Sequence, residues 1–285
     1  DPIVITEIIS DNSGYGVTCN GYSDASIWTN EIIDGETASV VGGTGVYTYE
    51  WTVTGTTDVI STDQNLIGIS AGLYTLTVTD QNGCTEIENY EITEPPFEIV
   101  INAVESDENG YSMSCFGDED GFINTDPTGG AGEFEFEWTI TGTTEIISTE
   151  QNLTGMGPGF YTVTITDANE CTKSEGFEIT EPPLLELTLV PSNNTDYGIT
   201  CFNANDGSIN TEVQGGNGTY QYEWVITGST DVISTDDNLS ALEPGDYTVT
   251  VTDLNGCQVS DNWIVTEPDP IVITEIISDN SGYGV

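Results

Sequence analysis

The sequence predicts an all-β protein made of tandem two-sheet sandwich domains in an extended array. Three observations support this fold class: the chain repeats itself, its apolar residues alternate with a period of two, and turn-forming glycines separate the apolar runs. A chain of 285 residues is also long for one core, because single hydrophobic cores stop growing near roughly 250 to 300 residues. Several domains are therefore expected.

The internal repeat sets the domain boundaries. The run Thr-Glu-Pro occurs at 93–95, 180–182 and 266–268, with spacings of 87 and 86 residues. The same steps separate a tryptophan, a tyrosine and a cysteine of each repeat: Trp51, Trp138 and Trp224; Tyr74, Tyr161 and Tyr247; Cys84, Cys171 and Cys257. We therefore predict repeat 1 at residues 1–95, repeat 2 at 96–182 and repeat 3 at 183–268.

A longer period lies above this one. Residues 269–285 read DPIVITEIISDNSGYGV and match residues 1–17 letter for letter. Three repeats therefore form one larger unit that ends at position 268, and 269–285 is the start of the next copy. We expect the natural protein to contain many such units.

Alternation within each repeat predicts strands. Tyr47, Tyr49 and Trp51 are separated by single polar residues, as are Tyr74 and Leu76 further on. The corresponding positions repeat the pattern in the other two repeats, at 134–138 and 220–224 and again at 161–165 and 247–251. A final strand such as Tyr90–Thr93 then leads into the Glu-Pro linker. About seven short strands per repeat favour a sandwich over any helical architecture.

Turn chemistry refines this prediction. Asp-x-Asn-Gly at 80–83 and 253–256 is typical of a tight turn that needs positive φ, and Glu170 replaces the glycine in repeat 2. Gly-Gly pairs at 42–43, 129–130 and 215–216 mark the turn before the tryptophan strand. Gly-x-Tyr at 72–74, 159–161 and 245–247 resembles the tyrosine corner of immunoglobulin-like sandwiches. The predicted domains are therefore immunoglobulin-like.

Each repeat carries two cysteines. Six cysteines allow fifteen pairings, and free buried thiols are a further alternative. Two cysteines per repeat favour bonds within each repeat, namely Cys19–Cys84, Cys115–Cys171 and Cys201–Cys257. A zinc site is disfavoured because there is no Cys-x-x-Cys pair and no histidine. Disulfides form in oxidising surroundings, so we expect a protein of the periplasm, the cell surface or the extracellular space.

Charge and composition exclude several functions. The chain holds 49 Asp and Glu against one basic residue, Lys173, and no histidine, for a formal net charge of -48. Proteins that bind nucleic acids or anionic membranes need clustered Lys and Arg, so neither is an expected partner. No apolar stretch approaches the roughly 20 residues of a membrane span, so no direct membrane insertion is expected. Catalytic triads and zinc-hydroxide sites need a histidine, which this chain does not have. The three repeats are also so similar that none is a distinct catalytic unit. We therefore predict that the chain is not an enzyme.

Two possible binding features remain. Acidic clusters at 118–121 and 236–238 and the Asp-x-Asn turns are candidates for calcium. The alternative is that these side chains are solvated surface carboxylates and turn caps. We assign no metal ligands and no other cofactor. Repeat 1 has a nine-residue insertion within 28–41, beside Trp28, which has no aromatic counterpart in repeats 2 and 3. Trp28 is therefore a candidate contact for a sugar or a partner, or else a cover for its own loop. Trp263, which aligns with Tyr90 and Phe177, is expected in the core.

These motifs together resemble the SprB repeat of Bacteroidota surface proteins. The residues that carry the resemblance are Trp51 in its aromatic strand, the run AGLYTLTVTDQNGC at 71–84 with its counterparts PGFYTVTITDANEC and PGDYTVTVTDLNGC, and the closing ITEP or VTEP. The larger unit of three repeats is similar in character to the giant gliding-motility adhesins that carry this repeat.

The resemblance implies a function. It implies a long extracellular adhesin filament, exported by type IX secretion and anchored at the outer membrane, that attaches to external surfaces or polysaccharide. Outer-membrane gliding and secretion machinery would engage it through regions outside this sequence and propel it along the cell. A static glycan-binding or coat module of the cell surface is the alternative.

Overall fold

The computed structural model describes residues 1–192 and 197–275, and the regular elements in these ranges are β-strands. The prediction of an all-β fold is confirmed. No helix in this described part of the chain is long and apolar enough to cross a membrane.

The strands fall into the three sequence repeats. Repeat 1 contains β1 to β11, which are Val4–Thr6, Ile8–Ile9, Ala25–Trp28, Ile32–Ile33, Glu36–Thr37, Ser39–Val41, Tyr47–Val53, Val59–Ser61, Leu66–Ile69, Gly72–Asp80 and Thr85–Ile92. Repeat 2 contains β12 to β18, which are Ala103–Glu105, Gly121–Thr125, Phe134–Ile140, Ile146–Ser148, Leu153–Met156, Gly159–Asp167 and Thr172–Ile179. Repeat 3 contains β19 to β25, which are Glu186–Pro191, Gly207–Gln214, Gln221–Ile226, Val232–Ser234, Leu239–Leu242, Gly245–Thr252 and Gln258–Val265.

The same two sheets occur in each repeat. The four-stranded sheets have the orders β11-β10-β7-β8, β15-β14-β17-β18 and β22-β21-β24-β25. The three-stranded sheets have the orders β2-β3-β9, β12-β13-β16 and β19-β20-β23. Their pairings are antiparallel, for example Leu76 of β10 opposite Trp51 of β7. Seven strands in two antiparallel sheets are the predicted immunoglobulin-like sandwich, and this fold class is confirmed.

The described residues form two compact units. The first holds Asp1–Glu105, Phe122–Thr154 and Gly159–Glu178; the second holds Ser106–Gly121, Gly155–Pro158 and the described residues from Ile179 onward. Repeat 2 therefore contributes to both units, whereas repeat 1 lies wholly in the first and described repeat 3 wholly in the second.

A tryptophan is fully buried at the centre of each sandwich. Trp51, Trp138 and Trp224 are each 0 % exposed. Their indole Nε1 groups donate hydrogen bonds to backbone oxygens twelve residues further on: to Asp63 at 3.0 Å, Glu150 at 2.9 Å and Asp236 at 3.0 Å. Burying the indole N–H without a hydrogen-bond partner would cost free energy, because the group loses its bond to water. These hydrogen bonds replace that bond and allow the large side chain to be buried in the core.

The tyrosine corner is present as predicted in the first and third repeats. The Tyr74 hydroxyl donates to the backbone oxygen of Ser70 at 2.9 Å, and the Tyr247 hydroxyl donates to that of Glu243 at 3.0 Å. Burial raises the pKa of both phenols. The bond ties the loop before β10 or β24 to the core strand that follows it.

Tyr90 is the exception among the buried tyrosines. It packs on Trp51 with ring centroids 5.7 Å apart and is 4 % exposed. Within the described residues its buried hydroxyl has no hydrogen-bond partner, and burial raises its pKa. Repeat 2 carries Phe177 at the same position against Trp138. We expect Tyr90→Phe to raise the free energy of unfolding by about 1 kcal/mol, because an unpaired buried hydroxyl costs about that much. A chemical denaturation midpoint no higher than that of the parent chain would contradict this.

The turn after the long core strand adopts the predicted backbone. Gly83 and Gly256 have φ of +80° and +90°, and Glu170 takes the same turn with φ of +66°. A residue with a Cβ is strained in this region, while glycine is not. We therefore expect Glu170→Gly to stabilise repeat 2 by about 1 kcal/mol. The matched reverse change, Gly256→Glu, should lower the unfolding midpoint by a similar amount, and equal midpoints for both variants would refute the argument.

The insertion of repeat 1 forms a hairpin of its own. Strands β4 and β5 pair in the register Ile33 with Glu36, and the turn between them is Asp34-Gly35 with φ of +53° and +88°. Two positive φ values in a two-residue Asp-Gly turn are the type I′ hairpin geometry.

The prediction that Trp263 lies in the core is wrong. Trp263 is 40 % exposed, whereas the aligned Tyr90 is 4 % exposed.

Candidate functional site

The disulfides join successive repeats. Cys19 bonds Cys171 with Cα atoms 5.9 Å apart, and Cys115 bonds Cys257 with Cα atoms 5.7 Å apart. The predicted pairs Cys19–Cys84, Cys115–Cys171 and Cys201–Cys257 are therefore wrong. The physical reason is that the first cysteine of a repeat lies against the turn of the following repeat. Cys84 and Cys201 are unbonded and exposed in the described chain.

A buried aspartate shapes the turn that carries the second cysteine. We call residues 80–84, 167–171 and 253–257 the cysteine turns. In the turn of repeat 2, Asp167 Oδ1 accepts the backbone N–H groups of Asn169 at 2.9 Å and Cys171 at 3.0 Å, while Oδ2 accepts that of Ala131 at 2.9 Å. Asp80 and Asp253 make the corresponding bonds. One carboxylate thus fixes the cysteine turn and the Gly-Gly turn together.

The asparagine of the cysteine turn binds the preceding repeat. The Asn169 side-chain amide donates to the backbone oxygens of Asn12 at 3.0 Å and Thr18 at 2.9 Å. In the second unit, the Asn255 amide donates to those of Glu108 at 3.2 Å and Ser114 at 3.0 Å. Thr18 and Ser114 directly precede the bonded Cys19 and Cys115. Each disulfide is therefore accompanied by a hydrogen-bonded contact that aligns its two cysteines.

The Thr-Glu-Pro linker holds the other partner in place. We call residues 16–21, 112–117 and 198–203 the cysteine loops. The backbone oxygen of Thr93 accepts from Gly16 N at 2.9 Å, and the Glu94 carboxylate accepts from Gly21 N at 2.8 Å. Glu181 and Glu267 accept in the same way from the other two loops, both at 2.9 Å. The linker glutamate is therefore part of the disulfide site, a role that its sequence position after a final strand did not indicate.

An aspartate that follows each cysteine loop holds the loop closed. Asp206 accepts from Thr200 N at 3.0 Å and Thr200 Oγ1 at 2.6 Å, and these two bonds lower its pKa. Asp24 and Asp120 make the corresponding bonds to the first two loops. Asp120 belongs to one of the acidic clusters considered for calcium. No group of three or more His, Cys, Asp and Glu side chains within the described ranges is placed to hold a metal ion.

Asp80 makes the cysteine turn of repeat 1 sensitive to acid. Its pKa is lowered from 3.8, chiefly because the Cys84 backbone N–H donates to the carboxylate. A folded pKa below the unfolded value means that the carboxylate stabilises the turn above about pH 4 and that this contribution is lost as the pH falls through the folded pKa. We expect the Asp80 carboxyl carbon to titrate below 3.8 by NMR. Titration at or above that value would contradict the assigned hydrogen bonds.

Trp28 lies at the wall of a cavity. It ends β3 opposite Ile8, and it is partly buried. The cavity has a volume of about 440 Å³, and its lining combines aliphatic side chains with polar ones: Ile8, Ile9, Ser10, Asp11, Asn12, Trp28, Ile33, Asp34 and Glu36. The insertion hairpin thus forms one wall of the cavity. Strand β2 and residues 10–12 form another wall. An indole beside carboxylates and an amide can bind a hydroxyl-rich ligand by stacking and hydrogen bonding.

Part of repeat 3 matches a known family model. Residues 199–225, in repeat 3, match the family model described as SprB repeat. The sequence finds no match among curated proteins. The family match supports the resemblance drawn from the motifs, in the repeat where it falls.

Several solved structures show a partial similarity to this chain at low sequence identity. The N-terminal eight Ig domains of Down Syndrome Cell Adhesion Molecule share 13 % identity at a TM-score of 0.39, over 82 % of this chain and 34 % of that one. The insect immune protein hemolin shares 14 % at a TM-score of 0.29, over 78 % and 68 %. A tetra-tandem repeat from the extending region of a large adhesion protein shares 14 % at a TM-score of 0.28, over 94 % and 75 %. The chain thus spans about a third of the first of these structures.

Proposed function

We propose that this chain is a structural repeat segment of a long extracellular adhesin filament and that it transmits force along the cell surface rather than catalysing a reaction. The observation that carries the proposal is that both disulfides join successive repeats. A bond within one repeat stabilises that repeat alone. A bond between repeats keeps neighbours connected even when the peptide linker between them is under tension.

The chemistry of the chain supports an extracellular place for it. Disulfides persist in oxidising compartments. The formal net charge of -48 discourages collapse of the chain onto anionic surfaces and keeps neighbouring filaments apart. The match of residues 199–225 to the SprB repeat supports the adhesin assignment. From the resemblance we extend the proposal to gliding motility, with export by type IX secretion and anchoring at the outer membrane. The proposed partners are external surfaces or polysaccharide.

Live-cell imaging tests the motility part of the proposal. Cells of the source organism would be labelled with a fluorescent antibody against the unit of three repeats, and the foci followed over time. Foci that travel along the cell are the expected result. Foci that stay fixed while the antibody still blocks attachment would overturn the motility role but would still support the adhesin role. Foci confined to the cell interior in permeabilised cells would overturn both.

The Trp28 cavity supports a second candidate function, a glycan-binding module. A cavity of about 440 Å³ accommodates one or two sugar rings, and its aromatic wall with flanking carboxylates suits them. An immobilised-glycan array would be probed with the parent chain and with Trp28→Ala. Trp263→Ala is the matched control, because Trp263 is 40 % exposed and lies outside this cavity. Saturable binding lost only in Trp28→Ala supports the module; binding unchanged in both variants, or absent from the parent chain, argues against it.

A further inference from the structure

We propose that Cys201 of one three-repeat unit forms a disulfide with Cys84 of the next unit, so that cross-repeat disulfides continue along the whole array. The inference rests on the proposed function insofar as it requires successive units in one chain. It concerns the two cysteines that are unbonded and exposed in the described chain. Each occupies a copy of a site whose counterpart elsewhere in the chain is bonded.

Cys84 lies in a cysteine turn that is already shaped for bonding. Asp80 Oδ1 accepts the backbone N–H groups of Asn82 and Cys84, both at 2.9 Å. The equivalent distances in the bonded turn of repeat 3 are 3.0 Å to Asn255 and 2.9 Å to Cys257. The side-chain amide of Asn255 binds the preceding repeat, whereas the described residues offer the Asn82 amide no such partner. The turn of repeat 1 therefore has the bonded geometry and lacks only its preceding cysteine loop.

Cys201 lies in a cysteine loop that is likewise complete. Glu267 accepts from Asn203 N at 2.9 Å, and Asp206 accepts from Thr200 N at 3.0 Å. These are the bonds that hold the loops of Cys19 and Cys115. The backbone oxygen that would accept the asparagine amide is that of Thr200, which corresponds to Thr18 and Ser114 in the two bonded sites.

The space beside Cys201 fits the missing turn. A cavity of about 530 Å³ is lined there by Thr200, Cys201, Phe202, Pro268, Asp269, Pro270 and Ile271. The cavities beside the two bonded sites, with Cys19 and Cys171 in one and Cys115 and Cys257 in the other, have volumes of about 250 and 310 Å³. The larger volume is what a bonded site would present before a following turn packs onto it.

The sequence supplies that turn at the right distance. Residues 269–285 repeat residues 1–17. Under the proposal they begin a further copy of repeat 1, which carries a copy of Cys84. Because Asp269 corresponds to Asp1, that copy would stand at position 84 + 268 = 352, and its separation from Cys201 would be 352 − 201 = 151. The observed bonds have sequence separations of 152 and 142. The new bond would therefore span a stretch of chain like those that the observed bonds already span.

The bond forms by thiol–disulfide exchange with a small or protein disulfide as oxidant. One cysteine thiolate attacks the oxidant and releases one of its sulfurs as a thiol; the other thiolate then attacks the mixed disulfide. The Cys201–Cys84 bond replaces the oxidant's bond, the two electrons leave with the reduced oxidant, and the two cysteine protons go to solvent and the released thiols. Oxidised glutathione supplies this chemistry in the test.

Counting thiols in a tandem chain tests the proposal. The single chain holds two unbonded cysteines. A chain of two units, residues 1–268 followed by residues 1–285, would be folded with oxidised glutathione and titrated under denaturing conditions. Two free thiols are expected, one at each end of the array, and non-reducing peptide mapping should link the Cys201 peptide of the first copy to the Cys84 peptide of the second.

Controls keep the test decisive. The bonds Cys19–Cys171 and Cys115–Cys257 within each copy show that the tandem chain has folded. A tandem chain with Cys201→Ser in the first copy should expose one more free thiol, that of Cys84 in the second copy. Four free thiols in a correctly folded parent tandem, or Cys201 linked to Cys84 of the same copy, would overturn the proposal. Either result leaves the cell-surface imaging unaffected, so this inference and the proposed function can fail separately.

Discussion

When the oxidised chain is pulled from its two ends, we expect it to extend about 600 Å less after full unfolding than the reduced chain, at about 3.3 Å per extended residue. The shortest covalent path in the oxidised chain comprises residues 1–19, 115–171 and 257–285, because the path crosses at both disulfides. The rest of the chain, roughly 180 residues, then bears no tension, and its extended length is the expected difference. Single-molecule force spectroscopy with and without a reducing agent measures this difference.

Removing one disulfide at a time gives a sharper signature. Without Cys19–Cys171 the path comprises residues 1–115 and 257–285, which is longer by roughly 40 residues or about 130 Å. Without Cys115–Cys257 it comprises residues 1–19 and 171–285, a gain of roughly 30 residues or about 100 Å. The two gains sum to far less than the effect of full reduction, because the two covalent loops interlock.

The alternative pairing within repeats makes a different prediction. Under that pairing Cys19→Ser with Cys171→Ser would open two separate loops, at 19–84 and 115–171, and release roughly 120 residues or about 400 Å. The gains would also be additive across the three bonds. A release of about 400 Å would therefore contradict the cross-repeat bonds, and a release of about 130 Å would exclude bonds within repeats.

Local patterns in the sequence were sufficient to predict the strands. Side chains alternate across a strand, so the spacing of Tyr74, Leu76 and Val78 fixed which face of β10 is buried, and all three are buried. The Asp-x-Asn-Gly turns at 80–83 and 253–256 likewise predicted the positive φ of Gly83 and Gly256. These features depend on neighbours within a few residues, which is the range over which one sequence is informative.

The disulfide site depends on contacts over much longer distances. Two cysteines per repeat are compatible with bonds inside one repeat and with bonds between neighbours, and the count alone does not distinguish them. What decides the pairing is that the Asn169 amide lies against the Thr18 backbone oxygen, although the two residues are 151 positions apart in sequence. The signal available in the sequence was the asparagine that recurs two residues before Cys84, Cys171 and Cys257. The aspartate already shapes the turn, so the asparagine side chain remains available to bind another repeat.

Deleting one cross-repeat disulfide should have the largest effect on stability. We expect Cys19→Ser with Cys171→Ser to lower the free energy of unfolding of the first unit by about 5 kcal/mol, because the bonded cysteines have a sequence separation of 152. Denaturant unfolding followed by tryptophan fluorescence measures the loss. Cys84→Ser is the matched control, since its thiol is exposed and unbonded.

The control variant also discriminates between the pairings. Replacing an exposed surface side chain changes stability by less than about 0.5 kcal/mol, so Cys84→Ser should unfold with the parent midpoint. If Cys19 bonded Cys84 instead, Cys84→Ser would lose the bond and destabilise repeat 1 by about 4 kcal/mol, as the shorter loop predicts. Equal losses in Cys84→Ser and Cys19→Ser would thus contradict the structure, whereas a loss confined to Cys19→Ser and Cys171→Ser means that the stability of each repeat depends on its neighbour.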